Sequence, residues 1–274
     1  MLDEREMQGF EYDILGGGLL LSLAMLLVTM LLFSFRESWA SRVGREWGTV
    51  RCCHLGWIDM AGVGLIFVFH LLSWINFGQL KGEEVATTGY LIGQMTLQGG
   101  FILMVFGLLY RRTEFEGFWG LKPARPYRMF AYLFGGFILY FLILEGLWFI
   151  GYQDWVKSIF IRVPLPLIGE RTGSEAEFWF WWGVVTVLSA PFAEEVVFRG
   201  FLYPVLKRMG GMILAALTVS LFFAVVHLDG QHLLGRMVLS LILIGAYEIT
   251  GSLWAPLGIH FLNNAYVFSD NFIA

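Results

Sequence analysis

The sequence MFAYLFGGFILYFLILEGLWFI, residues 129–150, contains one charged side chain, that of Glu145, in 22 positions. A helix of about 20 apolar residues is long enough to cross the hydrocarbon core of a bilayer. This stretch therefore predicts a transmembrane helix. Comparable apolar runs precede it at Ile14–Phe35, Ile58–Phe77 and Tyr90–Tyr110, so we expect four spans in the first part of the chain.

The second part of the chain predicts four further spans, which are shorter and carry polar residues. They run from about Phe178 past Pro191, then over about Met212–His227, Arg236–Ile249 and Leu253–Phe268. The intervening segment 151–177 contains Pro164 and Pro166, which favour an extended external loop with a short interfacial helix. We expect an all-α, polytopic membrane bundle of about eight helices, divided into regions 1–150, 151–177 and 178–274.

The composition supports this fold class and excludes others. Of the 274 residues, 57% are hydrophobic and 15% are charged, and the net charge is -4. Soluble globular domains carry about 25% charged residues. The low charge and the negative balance exclude an ordinary soluble enzyme and a nucleic-acid-binding protein. Membrane lipid is the expected surrounding.

Basic residues are concentrated in alternate loops. The loops after the first, third and fifth spans hold 11 Lys and Arg residues, whereas the opposite side holds 5. Loops rich in Lys and Arg remain in the cytoplasm. We therefore predict a multi-pass protein of the plasma or inner membrane, with 36–51, 111–128 and 207–208 cytoplasmic and the termini and 151–177 external.

Charged residues interrupt the fifth span at Glu194, Glu195 and Arg199. Each charge at the bilayer centre costs about 2.5–3.5 kcal/mol, so these residues are expected to face a polar interior and to pair. Glu195 and Arg199 are four residues apart and share a helix face, while Glu194 points elsewhere. A partly unpaired carboxylate suits a general base. The alternative is an ion pair that only fixes helix packing.

Two later spans carry polar residues as well. His227 ends the sixth span, and His260 and Asn264 lie one turn apart on the eighth. Because each group is costly in lipid, one shared cavity within the bilayer is the economical arrangement. Carboxylate, imidazole and amide groups together can activate water and stabilise an oxyanion.

The three motifs resemble those of the CPBP intramembrane proteases, which include the type II CAAX prenyl endopeptidases and the Abi-like proteins. The family patterns Glu-Glu-x-x-x-Arg, Phe-x-x-x-His and His-x-x-x-Asn/Asp are matched here by Glu194–Arg199, Phe223–His227 and His260–Asn264. Order and spacing agree, over about residues 178–268. The resemblance implies a site inside the bilayer that opens toward the cytoplasm.

The resemblance also implies roles for these residues. Glu194 would activate water with help from His227, His260 and Asn264 would stabilise the oxyanion, and Glu195 and Arg199 would support the site. No cofactor is certain, although zinc is a possible one. If a metal is present, Glu194, His227 and His260 would bind it. Asparagine is a poor zinc ligand and the chain lacks a His-Glu-x-x-His motif, which favours a metal-free reaction.

We therefore expect an endopeptidase that hydrolyses a membrane-associated peptide or protein, including a prenylated or lipid-anchored one. The rival hypothesis is a non-enzymatic membrane protein, such as an immunity factor, a scaffold or a transporter, that retains a polar cavity. Other intramembrane proteases fit poorly, since the chain has no Gly-x-Ser-Gly and no Gly-x-Gly-Asp motif. Leu228-Asp229-Gly230 echoes a site-2-protease motif, but its metal-binding partner motif is missing.

Overall fold

The computed structural model of the protein describes residues 16–29, 31, 48–51, 57–77, 88–159 and 175–273. Within these ranges the chain is helical and contains no β-strand. Three of the helices in the described residues are both long and apolar enough to cross a membrane: Gly89–Leu109, Pro126–Phe149 and Leu233–Thr250. The expected all-α membrane fold is confirmed.

The described residues of the first part of the chain form four long helices and two short ones. Helix α5 begins with Pro126 in its first turn, where the missing proline N–H leaves no hydrogen bond unmade. The helices are α1 (Gly16–Thr29), α2 (Trp57–Phe77), α3 (Thr88–Leu109), α4 (Phe115–Phe118), α5 (Pro126–Phe149) and α6 (Tyr152–Ile159).

The second part begins with one continuous helix, α7, which covers residues 175–210. Within α7, α-helical segments alternate with two π-helical turns. The α-helical segments are Glu175–Gly183, Ala190–Glu194 and Tyr203–Gly210, and the π-helical turns are Val184–Ser189 and Glu195–Leu202. The chain continues with α8 (Met212–Val225), α9 (Leu233–Thr250) and α10 (Trp254–Ile273).

Among the described residues, each of the eight predicted spans corresponds to one of the longer helices, and the predicted ends Ile14 and Phe35 of the first span lie outside these residues. Helix α7 begins at Glu175, close to the predicted start of the fifth span, and continues to Gly210, well past Pro191. Helix α6 lies inside the predicted external loop, whose remainder at 160–174 lies outside the described residues. The number of helices that cross the bilayer stays a prediction.

Helix α5 exposes large apolar side chains along one face. Phe134, Ile138 and Leu142 follow each other at intervals of four residues and are 54%, 57% and 64% exposed. Residues four apart lie on one side of a helix. A continuous apolar face of this kind suits contact with lipid tails rather than with water.

The helices of the second part enclose the middle of α7. Helices α9 and α10 pack against α5, and α3 packs against the π-helical turns of α7. The buried side chains of Phe198, Phe201 and Phe222 form part of the core between these helices. The middle of α7 is thus surrounded by protein, which allows polar side chains to be placed there.

Close backbone contacts join the loops at one end of the bundle. Trp119 donates its Nε1–H to the carbonyl of Gly200 at 3.0 Å and accepts a hydrogen bond from Leu253 N at 2.9 Å. Gly120 has φ +60, and a Cβ there would come within 1.8 Å of the Gly251 carbonyl oxygen. Only glycine tolerates both conditions.

A buried ion pair lies at the same end. Lys207 of α7 donates to Glu248 of α9, and the side chains are 1% and 8% exposed. Glu248 also accepts from the hydroxyl of Tyr203 at 2.6 Å and from Val50 N at 3.3 Å. This pair therefore ties segment 48–51 to α7 and α9.

Candidate active site

Glu194 and Glu195 lie where α7 changes from α-helical to π-helical hydrogen bonding. The second π-helical turn begins at Glu195, and the first one ends at Ser189. Such turns occur frequently at functional sites, because the wider backbone re-aims neighbouring side chains. Here the change in helix type falls between the two adjacent carboxylates.

The Glu195 carboxylate is fully buried and is held by two partners. Its Oε1 accepts a hydrogen bond from Arg199 Nη1 at 2.9 Å and another from His260 Nδ1 at 2.8 Å. The predicted pairing of Glu195 with Arg199 is therefore present. The additional bond to His260 connects α7 to α10.

Arg199 is also fully buried, and its guanidinium group is packed on several sides. Its Nη2 donates to the hydroxyl of Ser240 at 2.9 Å and to the Ser240 carbonyl at 3.3 Å. Its Cζ lies 4.6 Å from the centre of the Phe223 ring. A buried charge is tolerable when it is paired and hydrogen-bonded in this way.

The two histidines direct the same ring atom toward Glu194. Nδ1 of His227 donates to the Phe223 carbonyl at 2.6 Å, and Nδ1 of His260 donates to Glu195. Each Nε2 then lies 3.7 Å from Oε2 of Glu194. In a neutral ring that is protonated on Nδ1, Nε2 is an acceptor, so three acceptor atoms face one small space.

The Glu194 side chain is 26% exposed, and that of His227 is 27% exposed. The Oε2 atom itself is buried and has no hydrogen-bond partner among the described residues. A water molecule in the space between Glu194, His227 and His260 can donate to such acceptors. The arrangement therefore suits a carboxylate base acting on a held water.

Asn264 contacts a different part of α7. Its Nδ2 donates to the Thr186 carbonyl, in the first π-helical turn, at 2.8 Å, and its Oδ1 accepts from Asn263 at 3.1 Å. The structure thus brings together Glu194, Glu195, Arg199, His227 and His260. Asn264 lies one turn beyond His260 and is bound to the turn that precedes Glu194.

Some residues around the site were not predicted from the sequence. Ser240 completes the surroundings of Arg199, and Ser189 donates to Gln98 Oε1 of α3 at 2.5 Å. Single Ser and Gln residues in apolar helices carry no spacing pattern, so only their polarity within a predicted span marks them. Phe223 was part of a quoted motif, and here it packs between Arg199 and both histidines.

The distances between Glu194 and the two histidines differ from those in a tetrahedral zinc site. In a tetrahedral zinc site with bonds of about 2.0–2.1 Å, ligand atoms lie roughly 3.3–3.4 Å apart. The distances of 3.7 Å from Glu194 to each histidine are longer. Among the residues that the structure describes, no group of three or more His, Cys, Asp and Glu side chains is arranged to hold a metal ion.

Comparison with known proteins agrees with the placement of the motifs. Residues 176–266 match the family described as "Type II CAAX prenyl endopeptidase Rce1-like". A Bacillus subtilis (strain 168) protein named "Putative membrane peptidase YdiL" is 29% identical over 84 residues, which are 31% of this chain and 34% of that protein. The match therefore spans about a third of that relative's length. No solved structure matches the chain. The segment that carries the three motifs is therefore similar to type II CAAX prenyl endopeptidases, in agreement with the resemblance that the motifs indicated.

Proposed function

We propose that this protein is a membrane endopeptidase that hydrolyses a peptide bond with water activated by Glu194. The observation that carries the proposal is the position of Glu194 Oε2, 3.7 Å from the Nε2 atoms of both His227 and His260. The similarity of residues 176–266 to type II CAAX prenyl endopeptidases supports the same reaction class.

In the proposed reaction, Glu194 accepts a proton from water as the water oxygen attacks the carbonyl carbon of the scissile amide. His227 holds the water through Nε2. The tetrahedral intermediate then collapses, the C–N bond breaks, and Glu194 delivers the proton to the leaving nitrogen. The hydroxyl group of the water stays on the new carboxyl end, so the hydrolysis is balanced.

The oxyanion of the intermediate is assigned to His260 and Asn264. When the His260 ring carries both protons, its Nε2–H can donate to the oxyanion while Glu195 balances the positive charge. Asn264 uses one proton of Nδ2 for Thr186 O, and we assign the second proton to the oxyanion. Donors aimed at developing charge are commonly the largest contribution to catalysis.

The proposed substrate is a peptide or protein that reaches the site from the membrane, such as a prenylated or lipid-anchored one. The apolar outer faces of the helices and the partial exposure of Glu194 and His227 support entry of a membrane-bound chain. We place the protein in the plasma or inner membrane, with the cavity opening toward the cytoplasm.

The proposal is tested with purified protein in liposomes and an internally quenched, farnesylated peptide that ends in a CAAX sequence. A second peptide with the same residues and a palmitoyl anchor tests whether prenylation matters. The Glu194→Gln variant keeps the side-chain shape and loses the base, so we expect cleavage by the wild type alone. Equal cleavage by the wild type and Glu194→Gln would exclude Glu194 as the base.

A further inference from the structure

The loop at residues 226–232 joins α8 to α9 and carries His227. Leu228 in this loop has φ +52, in the left-handed region that leucine seldom occupies. Non-glycine residues remain in that conformation only where the surroundings enforce it. The position of His227 therefore depends on contacts that hold this loop.

Asp229 supplies most of these contacts. Its Oδ1 accepts from the backbone N–H groups of Gln231 at 3.1 Å and His232 at 3.4 Å, at the start of α9. Its Oδ2 accepts from His232 Nδ1 at 2.8 Å and from Arg236 Nη2 at 3.0 Å. Burial alone would raise the Asp229 pKa, but His232 and Arg236 hold that pKa well below its usual range.

Arg236 binds both the side chain and the backbone of Asp229. Besides the bond to Oδ2, its Nη1 donates to the Asp229 carbonyl at 3.3 Å. The planar guanidinium group thus fastens the loop, two residues after His227, to the first turns of α9. A lysine could offer charge at this position but not the same forked pair of donors.

Arg236 also contributes to the electrostatic surroundings of the proposed reaction centre, because its positive charge acts on both Glu194 and His227. The side chains of Arg236 and Asp229 are 26% and 24% exposed, nearly the same as those of Glu194 and His227. The four side chains are therefore exposed to a similar degree.

We propose that Asp229 and Arg236 are positioning residues that hold the loop 226–232 and thereby aim Nε2 of His227 at the water on Glu194. This inference rests on the proposed function. Asp229 belongs to the segment Leu228-Asp229-Gly230, which resembles a metal-binding motif. In this proposal Asp229 has a role that requires no metal. The Asp229–Arg236 pair acts through His227 and does not touch the substrate.

The test compares Arg236→Met, Arg236→Lys and Asp229→Asn with the wild type. Lys122→Met is the control, because Lys122 is paired with Glu116 at the surface, where removal of one partner of an ion pair costs little stability. Two measurements are made: amide hydrogen exchange at 226–232 by mass spectrometry, and cleavage of the farnesylated CAAX peptide. The exchange measurement needs no activity, so it separates failure of this inference from failure of the proposed function.

For Arg236→Met we expect faster exchange at 226–232, and a fall in kcat of about 10²-fold with KM nearly unchanged, as for a misplaced catalytic group. Arg236→Lys should recover part of both losses, and Lys122→Met should change neither. Unchanged exchange in Arg236→Met, or a raised KM at constant kcat, would overturn the proposal. If Arg236→Met does not fold, Asp229→Asn decides by the same criteria.

Discussion

Nδ1 of His260 donates a hydrogen bond to Oε1 of Glu195 at 2.8 Å, and this bond joins the two helices that form the site. The same oxygen accepts from Arg199, so Glu195 has its charge balanced and its orientation fixed. Oε2 is buried without a hydrogen-bond partner among the described residues in both Glu195 and Glu194, but Oε2 of Glu194 faces Nε2 of both His227 and His260 at 3.7 Å. Two adjacent carboxylates therefore have different surroundings, one orienting a histidine and one available for reaction.

The Glu195→Gln substitution tests the orienting role. Glutamine retains an acceptor oxygen but leaves Arg199 without a balancing charge in a buried site, which costs about 3–5 kcal/mol of unfolding free energy. We expect a lower midpoint of thermal unfolding in detergent than for Glu194→Gln. Equal midpoints for the two variants would contradict the assignment.

The Asn264→Ala substitution tests the oxyanion assignment. Removal of one such donor typically lowers kcat by about 10²–10³ and leaves KM nearly unchanged. The control is Asn263→Ala, which removes the hydrogen bond to Asn264 Oδ1 but no donor assigned to the oxyanion, so kcat should fall much less. A raised KM with normal kcat in Asn264→Ala would mean that Asn264 binds the substrate in its ground state.

Metal removal tests the metal-free reaction. We expect purified protein to contain zinc well below one atom per chain, and activity to survive dialysis against a chelator. The measurement is elemental analysis of wild type, His227→Ala and His260→Ala. Stoichiometric zinc in the wild type that is lost in either variant would identify both histidines as ligands instead.

The buried pair of Lys207 and Glu248 is expected to stabilise the fold and not the reaction. Lys207→Met leaves Glu248 buried without its counter-charge and should lower the unfolding free energy by about 3–5 kcal/mol. The double variant Lys207→Met/Glu248→Gln should be more stable than Lys207→Met alone. Additive losses in the double variant would mean that the two residues are not coupled.

Cysteine labelling in a background without Cys52 and Cys53 tests the orientation. The 11 to 5 distribution of Lys and Arg predicts that position 122 is cytoplasmic and position 155 is external. A membrane-impermeant maleimide added to intact cells should label Trp155→Cys and leave Lys122→Cys unlabelled. The reverse pattern would invert the topology of the whole chain.

The fold was predictable from the sequence because the length of an apolar run such as residues 129–150 can be compared directly with the thickness of the membrane. The grouping of Glu194, His227 and His260 was also predictable, because polar side chains within the bilayer are costly unless they contact one another. The hydrogen bond from Asn264 to the Thr186 carbonyl was not predictable. It depends on a backbone carbonyl in a π-helical turn, and no side-chain pattern marks such a turn.

The role of Arg236 illustrates a second limit. The sequence places it at the start of a predicted span, where a basic residue is unremarkable. Only the fold of the loop 226–232 brings its guanidinium group into contact with Asp229. Contacts that depend on a loop conformation, such as the left-handed Leu228, have no periodicity from which they can be inferred.

The π-helical turns make the site depend on the number of residues in α7 as well as on their identity. Each residue of an α-helix rotates the chain by about 100° about the axis. Deleting one residue between 195 and 202 would let the turn return to α-helical geometry and rotate Glu194 away from both histidines, although every motif residue remained in the sequence. Single-residue deletions in α7 should therefore abolish activity at positions where substitutions are tolerated.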